Sequence, residues 1–579
     1  MKKKTINKLA AALAFTLSMT GILGGCGNNT NVSPSVEEEV ITPTEESQSE
    51  PVSEKEGKLK VMVYDRASIP AEEGDLNNNR WTEWIRANAP VADIEFVPIP
   101  KAEAVATMTL QFSSGEGPDL YPTNEAELTM MYQSGMVMPI SDEMLDKMPN
   151  YKALLEEYPI LYKNNSLDGQ LCFFGLVQNQ GPNHTIVFRR DWLDNLGLEL
   201  PKTPEDLYNI CYAFTFNDPD GNGVNDTWGI NMTTDAQRVL SHMFGFGNPE
   251  KYKFDENGEL VYAWDNIEAW LTFAERLVDD KLVNPDFMTM KADDDQADFL
   301  NGRIGIYCTG RLMNSKRLPL FTSFKEAFPD ATLDTCPLPE SEFGKYIAAL
   351  SGAIGNQGFI SSDCSDVDAA LAYVNWLYDP DVSAYLMYGP EGVYHEMNEY
   401  GTYIVKDEEK NKVEFNWASD YSIIRNATLF GKENTYDKHA NDPYNLYLSS
   451  DDPIKHELGD LMYKFYEIAN AMDAEDPRGW QGEGLPALPD DLGLIKTTAD
   501  KMVNDILVNT LGDTSKSAAE GIEEAKNTWY SAGGADVDEY NRQYFINAGD
   551  SALIPSDFID LKSAPVMTEA AKANSKLFD

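Results

Sequence analysis

The residues most ready to do chemistry lie in one run, Asp218-Pro219-Asp220-Gly221-Asn222-Gly223-Val224-Asn225-Asp226. Oxygen-bearing side chains occupy its first, third, fifth and ninth positions, a glycine the sixth, and a residue offering its carbonyl the seventh. An EF-hand calcium loop is spaced this way, because hard oxygen donors at alternating positions let one tight turn wrap a cation. Asp218, Asp220, Asn222 and Asp226 would give side-chain oxygens and Val224 its carbonyl. The twelfth position is Gly229, where the EF-hand has a bidentate glutamate, so a further ligand has to come from Thr227, from elsewhere in the chain or from water. A plain Asp/Asn/Gly turn uses the same residue types without an ion; the expectation here is a structural calcium site.

Enzyme chemistry is harder to find. His184, His242, His395, His439 and His456 form no His-Glu-x-x-His pattern, and there is no Gly-x-Ser-x-Gly elbow or phosphate-binding P-loop. Among 95 acids a carboxylate pair for glycoside hydrolysis is not excluded, but no two are singled out. The run Asp293-Asp294-Asp295 reads as a solvated helix start.

The elements that would position such side chains are α/β in texture. Leu59–Tyr64 alternates as a strand, Trp81, Trp84 and Ile85 share a helix face, Ile94–Ile99 is a second strand, Ala102–Phe112 is helical and Leu120-Tyr121 starts another strand. Alternation continues to about residue 380 and predicts mixed or parallel sheets covered by helices. Ligands of such sheets sit beyond the carboxyl ends of the strands, which makes the loops after Tyr64 and Tyr121 suspect. Trp81, Trp84, Trp192 and Trp376 are expected in the core. Beyond residue 430 the pattern is helical with aromatic-rich loops, and no solenoid repeat is present.

Lys2, Lys3, Lys4 and Lys8 precede an apolar stretch from Leu9 to about Leu23 that ends in Leu23-Gly24-Gly25-Cys26. That is a secretory signal, too short for a confident membrane span. Cys26 directly after Leu-Gly-Gly resembles a bacterial lipobox, which implies cleavage before Cys26 and a diacylglycerol on its thiol. Residues 27–57 are rich in Ser, Thr, Pro, Asn and Glu and contain no aromatic residue, so residues 26–57 read as a lipidated cysteine and a disordered acidic tether. The formal charge of -49 repels nucleic acid and anionic lipid, leaving the acyl chains to hold the membrane. Cys172, Cys211, Cys308, Cys336 and Cys364 cannot all pair and show no Cys-x-x-Cys spacing; buried free thiols are expected.

Several dispersed segments carry a family resemblance: Ser114-Gly115-Glu116-Gly117-Pro118-Asp119-Leu120-Tyr121, Met131-Tyr132-Gln133-Ser134-Gly135, Phe188-Arg189-Arg190-Asp191-Trp192-Leu193-Asp194-Asn195-Leu196-Gly197 with Pro201–Leu207, Phe299–Gly305, Tyr388–Tyr394 and Ser531–Asp536. In this order over about residues 58–544 the chain resembles family 1 extracellular solute-binding proteins, the carbohydrate-capturing components of ABC importers, and within them the large LplA-like lipoproteins. Residues 545–579 match nothing in that pattern.

The resemblance implies an α/β, two-lobed periplasmic-binding-protein-like (type II) fold with a hinge and an interlobe ligand cleft. Residues 58–180 and 351–430 would form lobe 1, residues 181–350 the first part of lobe 2, and residues 431–579 a mainly helical part completing lobe 2 and the cleft. The first crossing is placed near Val177–His184 and the return near Lys345–Gly352. In this family, loops like 218–226 hold calcium structurally. Sugars stack apolar faces on aromatic rings and pair hydroxyls with Asp, Asn, Gln and Arg. The candidate ligand residues are therefore Tyr64, Asp65 and Arg66; Thr123, Asn124 and Glu125; Gln178 and Asn179 at the hinge; Arg311 after the Gly302 segment; Tyr394; and Trp480 in a glycine-flanked loop. The implied protein is monomeric, binds an oligosaccharide, passes it to ABC permease subunits and catalyses nothing. An oligopeptide receptor, a surface polysaccharide-degrading enzyme and a structural lipoprotein are the alternatives.

Overall fold

Strands apolar on both faces demand covering layers on both sides, and the chain builds two such sandwiches. The computed structural model describes residues 55–123, 125–176, 184–247, 251–291, 294–310, 317–346, 357–397, 403–406, 410, 416–423, 443–471, 484–486, 488–513, 515–554, 556–557 and 565–578. Eight strands form its two main sheets: β1 (Glu56–Asp65), β2 (Val91–Pro100), β3 (Leu120–Thr123), β4 (His184–Arg189), β5 (Trp228–Ile230), β6 (Ile304–Gly310), β7 (Leu333–Asp334) and β8 (Gln357–Ile360).

The first sheet runs β8-β3-β1-β2, with β1 parallel to β2 and β3 and β8 antiparallel to β3. Leu59, Val61 and Val63 enter one core while Met62 and Tyr64 enter the other, the period-two alternation of a strand buried on both faces. The second sheet runs β7-β4-β6-β5, with β4 antiparallel to β6 and β7 and β5 parallel to β6. All six residues of β4 are buried; Ile186 and Phe188 face one core and Val187 the other. The helix Pro204–Phe216 lies directly on this sheet because Gly305 has no side chain: a Cβ there would stand 2.1 Å from the Phe214 ring.

The expected helices at residues 81–85 and 102–112 are Arg80–Asn88 and Ala104–Ser114, the latter entered through a short 3-10 turn at Lys101–Glu103. Trp81 and Trp192 are core residues, whereas Trp84 and Trp376 are half-buried, with Trp84 stacked on Tyr385 at 3.8 Å. The C-terminal helices Pro453–Asn470, Asp490–Gly512, Ala518–Ser531 and Gly534–Ala548 pack into the two cores of the second sheet. The final segment joins them: Met567 and Ala571 are buried there, Asn445 bonds to Thr568 N, and Asp460 accepts from Ser575 Oγ at 2.6 Å and Lys576 N at 2.9 Å.

The sequence expectation for Asp295 is corrected here. A helix, Gln296–Leu300, does start here with Asp295 as its N-cap and Asp294 is exposed, but Asp295 is 3% exposed rather than solvated and accepts hydrogen bonds from Asn231 Nδ2 (2.6 Å), Thr233 Oγ1 (2.7 Å) and Tyr307 OH (3.3 Å). Cys172, Cys211, Cys308, Cys336 and Cys364 are free thiols. Burial pushes Cys172 up to about 11 and Cys336 and Cys364 to about 12, so these thiols are inert as nucleophiles at neutral pH. Among the described residues no helix is long and apolar enough to cross a membrane. Cys26 and residues 1–54 lie outside them, as do Asn124, Gln178, Asn179, Arg311 and Trp480.

Candidate ligand cleft and cation loop

In the first sheet, register brings the carboxyl ends of β1 and β3 and the start of β8 to one edge. Tyr64 pairs with Ile99 and Thr123 with Gln357. The edge therefore carries Tyr64, Asp65, Thr123 and Gln357, with Arg66 and Lys101 just beyond. Tyr64 does not offer an open stacking face. It is 7% exposed, its hydroxyl donates to Pro122 O at 3.2 Å, and Lys101 Nζ stands 3.5 Å from its ring centroid. Lys101 is thus a neighbour that local sequence reading missed, because it reaches the site from the end of the adjacent strand.

Arg66 is fixed as well. Its Nε and Nη2 bind Asp420 at 2.5 and 2.9 Å, and Asp420 is 3% exposed. The pairing raises the guanidinium pKa above its ordinary value, the hydrogen bond to Asp420 outweighing partial burial. Asp65 accepts from Ala67 N at 2.7 Å, which holds the loop that carries Arg66. Thr123 is buried at the edge, and Glu125 opens the helix Glu125–Gln133. Tyr394 is 3% exposed, packed against Trp81 and bonded through its hydroxyl to Arg80 Nη1 at 2.5 Å.

The second sheet has a corresponding edge. His184 opens β4 opposite Gly310, the last residue of β6. Asp235, at the start of the helix Thr234–Met243, accepts from Gly310 N at 2.9 Å and lies 3.8 Å from His184 Nε2. A Cβ on Gly310 would meet both side chains, so the three form one close-packed corner. Neither His184 nor Asp235 belongs to a local motif; antiparallel register sets His184 opposite Gly310, and the helix Thr234–Met243 brings Asp235 to the same glycine.

The two edges are joined by short spans. The chain leaves the first sheet's side at Leu176 and is next described at His184, and eight residue steps reach at most about 29 Å. Three segments stand side by side where the chain leaves the first lobe: a Cβ on Gly358 would lie 2.4 Å from Phe174 and 2.5 Å from Ile423. Gln357 Nε2 donates to Asn165 Oδ1 at 2.6 Å beside them.

The cation loop begins at the end of the helix Pro204–Phe216. Asp218 adopts φ 48°, Gly223 N donates to its Oδ2 at 3.0 Å, and its Oδ1 is buried with no hydrogen-bond partner. Asn222 Nδ2 donates to both Asp220 Oδ2 (2.9 Å) and Asp226 Oδ1 (3.2 Å). Burial first, then the hydrogen bond and charge of Asp218 and the charge of Asp226, raise the Asp220 pKa. The donor set of three carboxylates, one amide and the Val224 carbonyl fits a hard divalent cation. Among the described residues, however, no three acidic, histidine or cysteine side chains are drawn into an ion-holding cluster, so binding would have to turn Asn222 and gather the carboxylates. Thr227 is buried, and its hydroxyl donates to Phe214 O at 2.6 Å. Gly229 lies in β5 against Cys211.

Two helix-covered sheets, each with hydrogen-bonding side chains at one strand edge, define a two-lobed α/β protein. The profile of the bacterial extracellular solute-binding proteins matches residues 81–384, and the chain belongs to that family. The chain is 23% identical over 433 residues to the polygalacturonan/rhamnogalacturonan-binding protein YtcQ of Bacillus subtilis, a match covering 68% of this chain and 83% of the relative. It is 29% identical over 286 residues to the fructooligosaccharide ABC transporter substrate-binding protein FusA of Streptococcus pneumoniae, covering 46% of this chain and 50% of that one. A solved structure of FusA, an EF-hand mutant in complex with fructo-nystose, superposes with TM-score 0.52 at 18% identity, over 85% of this chain and 100% of that chain. An HMO-binding, ABC-transporter-associated solute-binding protein from Bifidobacterium longum infantis superposes with TM-score 0.60 at 17% identity, over 87% of this chain and 99% of that one. These structural likenesses establish the fold.

Proposed function

We propose that this protein is the lipid-anchored receptor of an ABC importer: it captures an oligosaccharide between its lobes, delivers it intact to a membrane permease and performs no catalysis. One observation carries the reading. Two strand edges are rich in hydrogen-bonding side chains, Asp65, Arg66, Lys101, Thr123 and Gln357 on one sheet and His184 and Asp235 on the other, and only eight residue steps separate Leu176 from His184, a connection short enough to act as a hinge. Planar and charged side chains of these types recognise sugar hydroxyls, and the carbohydrate names of YtcQ and FusA support the cargo class. Asn124, Glu125, Gln178, Asn179, Arg311 and Trp480 remain proposed contacts; Tyr64 acts as the floor that positions Lys101. Cys26 is the proposed lipid attachment, residues 26–57 the tether to the outer face of the cell membrane, and the receptor works as a monomer.

We further propose that Asp218, Asp220, Asn222, Val224 and Asp226 hold a structural calcium ion. The unpaired Asp218 oxygen and the crowding of Asp220 support it, as does the EF-hand named for FusA.

The receptor reading is tested by a thermal-shift screen of residues 26–579 against neutral oligosaccharides, acidic oligosaccharides and mixed peptides. A ligand at 100 times its Kd stabilises by about 2.7 kcal/mol. A shift confined to one glycan class with the sugar recovered uncut supports the proposal. A response to peptides alone replaces the cargo, cleaved sugar makes the protein an enzyme, and silence throughout argues for a structural lipoprotein.

A further inference from the structure

In the C-terminal segment that matched no family pattern, two adjacent residues enter different cores. Ala552 is buried in the core of the second sheet with Val537 and Phe545, while Leu553 is buried in the core of the first sheet with Tyr151, Ile160 and Leu161. Lys163, in the helix Pro159–Asn164 of the first lobe, donates to Ala552 O at 3.3 Å and to Asp557 Oδ1 at 2.8 Å. Both charged side chains are mostly withdrawn from water, 27% and 19% exposed. Asp557 also takes Ile554 N at 2.9 Å, and its own N–H returns to Ile554 O at 3.0 Å, so the loop that presents the carboxylate is closed on itself. Gly484 covers Leu553 so closely that a Cβ there would lie 2.7 Å from the leucine Cβ.

The position of this contact gives it meaning. Asn165, two residues beyond Lys163, bonds to Gln357, and Gly175 lies against both, at the place where the chain passes between lobes. We infer that residues 549–554 and 556–557 form a non-covalent clasp: they fasten the C-terminal helices of the second lobe to the first lobe beside the hinge, and Leu553 with the Lys163–Asp557 pair sets the axis about which the lobes turn. A fixed fulcrum confines rotation to one arc and keeps the ligand-free lobes from splaying. A partly desolvated ion pair suits this use, since its strength depends on geometry and it resists sliding better than an apolar contact does.

The test needs no ligand, so its failure would leave the proposed receptor function untouched. In residues 26–579, spin labels are placed by non-natural amino acids at exposed Leu110 in the first lobe and Tyr212 in the second, and the interlobe distance distribution is measured. Lys163→Met and Asp557→Asn are each expected to broaden that distribution about twofold. Amide exchange across residues 549–554 and 556–557 is expected to rise about tenfold, with the remaining core amides unchanged. The charge swap K163D/D557K is expected to restore the narrow distribution. An unchanged distribution in both single variants, or a swap that stays broad, overturns the clasp. Asp557→Asn keeps the shape and the cap to Ile554, so it provides a folded variant even where Lys163→Met does not.

Discussion

Arg66 and Asp420 form a pair whose two ends face different environments, and substitution separates them. Arg66→Met leaves the Asp420 carboxylate buried without its cation and is expected to cost about 3 kcal/mol by chemical denaturation. The double variant R66M/D420N should recover most of that stability without recovering sugar binding, if Arg66 also contacts cargo. Asp538 gives a different signal. It accepts from Tyr252 OH at 2.8 Å and Trp529 Nε1 at 3.1 Å, yet burial, with a minor contribution from Asp500, pushes its pKa up to about 6. A folded pKa above the unfolded value favours the protonated form, so this group's stabilisation is complete below about pH 4 and lost as pH rises through 6. Asp538→Asn is therefore expected to flatten the loss of stability between pH 4 and 6.5 by on the order of 1–3 kcal/mol relative to the parent. A variant curve parallel to the parent's would mean that Asp538 is ionised in the fold.

At the level of elements, the strands were the legible part of the chain. β1 alternates between two cores and the apolar residues of β2 recur between exposed ones, so their patterns announced both strands, and the ends of β1 and β3 marked the loops that follow them. What could not be read was pairing at a distance. His184 meets Gly310 through antiparallel register and Asp235 through the helix Thr234–Met243, and Lys101 covers Tyr64 from the turn just after a neighbouring strand; no local spacing encodes these meetings. The burial of Asp295 was equally hidden, because a carboxylate run looks solvent-facing until distant Asn231 and Thr233 cover it. Two predictions belong here. Gly305→Val drives a side chain into the Phe214 ring and should cost about 3 kcal/mol or more by the overpacking it forces, read in the denaturation midpoint. Chelator should lower the thermal midpoint of the parent and calcium restore it, while Asp218→Asn abolishes the difference; identical midpoints with and without chelator would leave the loop a plain turn.

For the whole molecule, cleft, hinge and clasp act on one coordinate, the rotation of two lobes that each own two hydrophobic cores. Because the cores are separate, rotation leaves packing intact and confines the energetics of closing to the edges, the spans and the clasp. The formal net charge of -49 favours solubility and disfavours contact with anionic lipid surfaces or nucleic acid. The central claim is capture of an intact saccharide between the lobes. The most direct measurement is small-angle scattering of residues 26–579 with and without the glycan selected by thermal shift, followed by mass analysis of the sugar released on denaturation. A smaller radius of gyration on binding, with one uncut oligosaccharide recovered per chain, is the predicted result. An unchanged radius with no retained sugar, or recovery of shortened products, would contradict it.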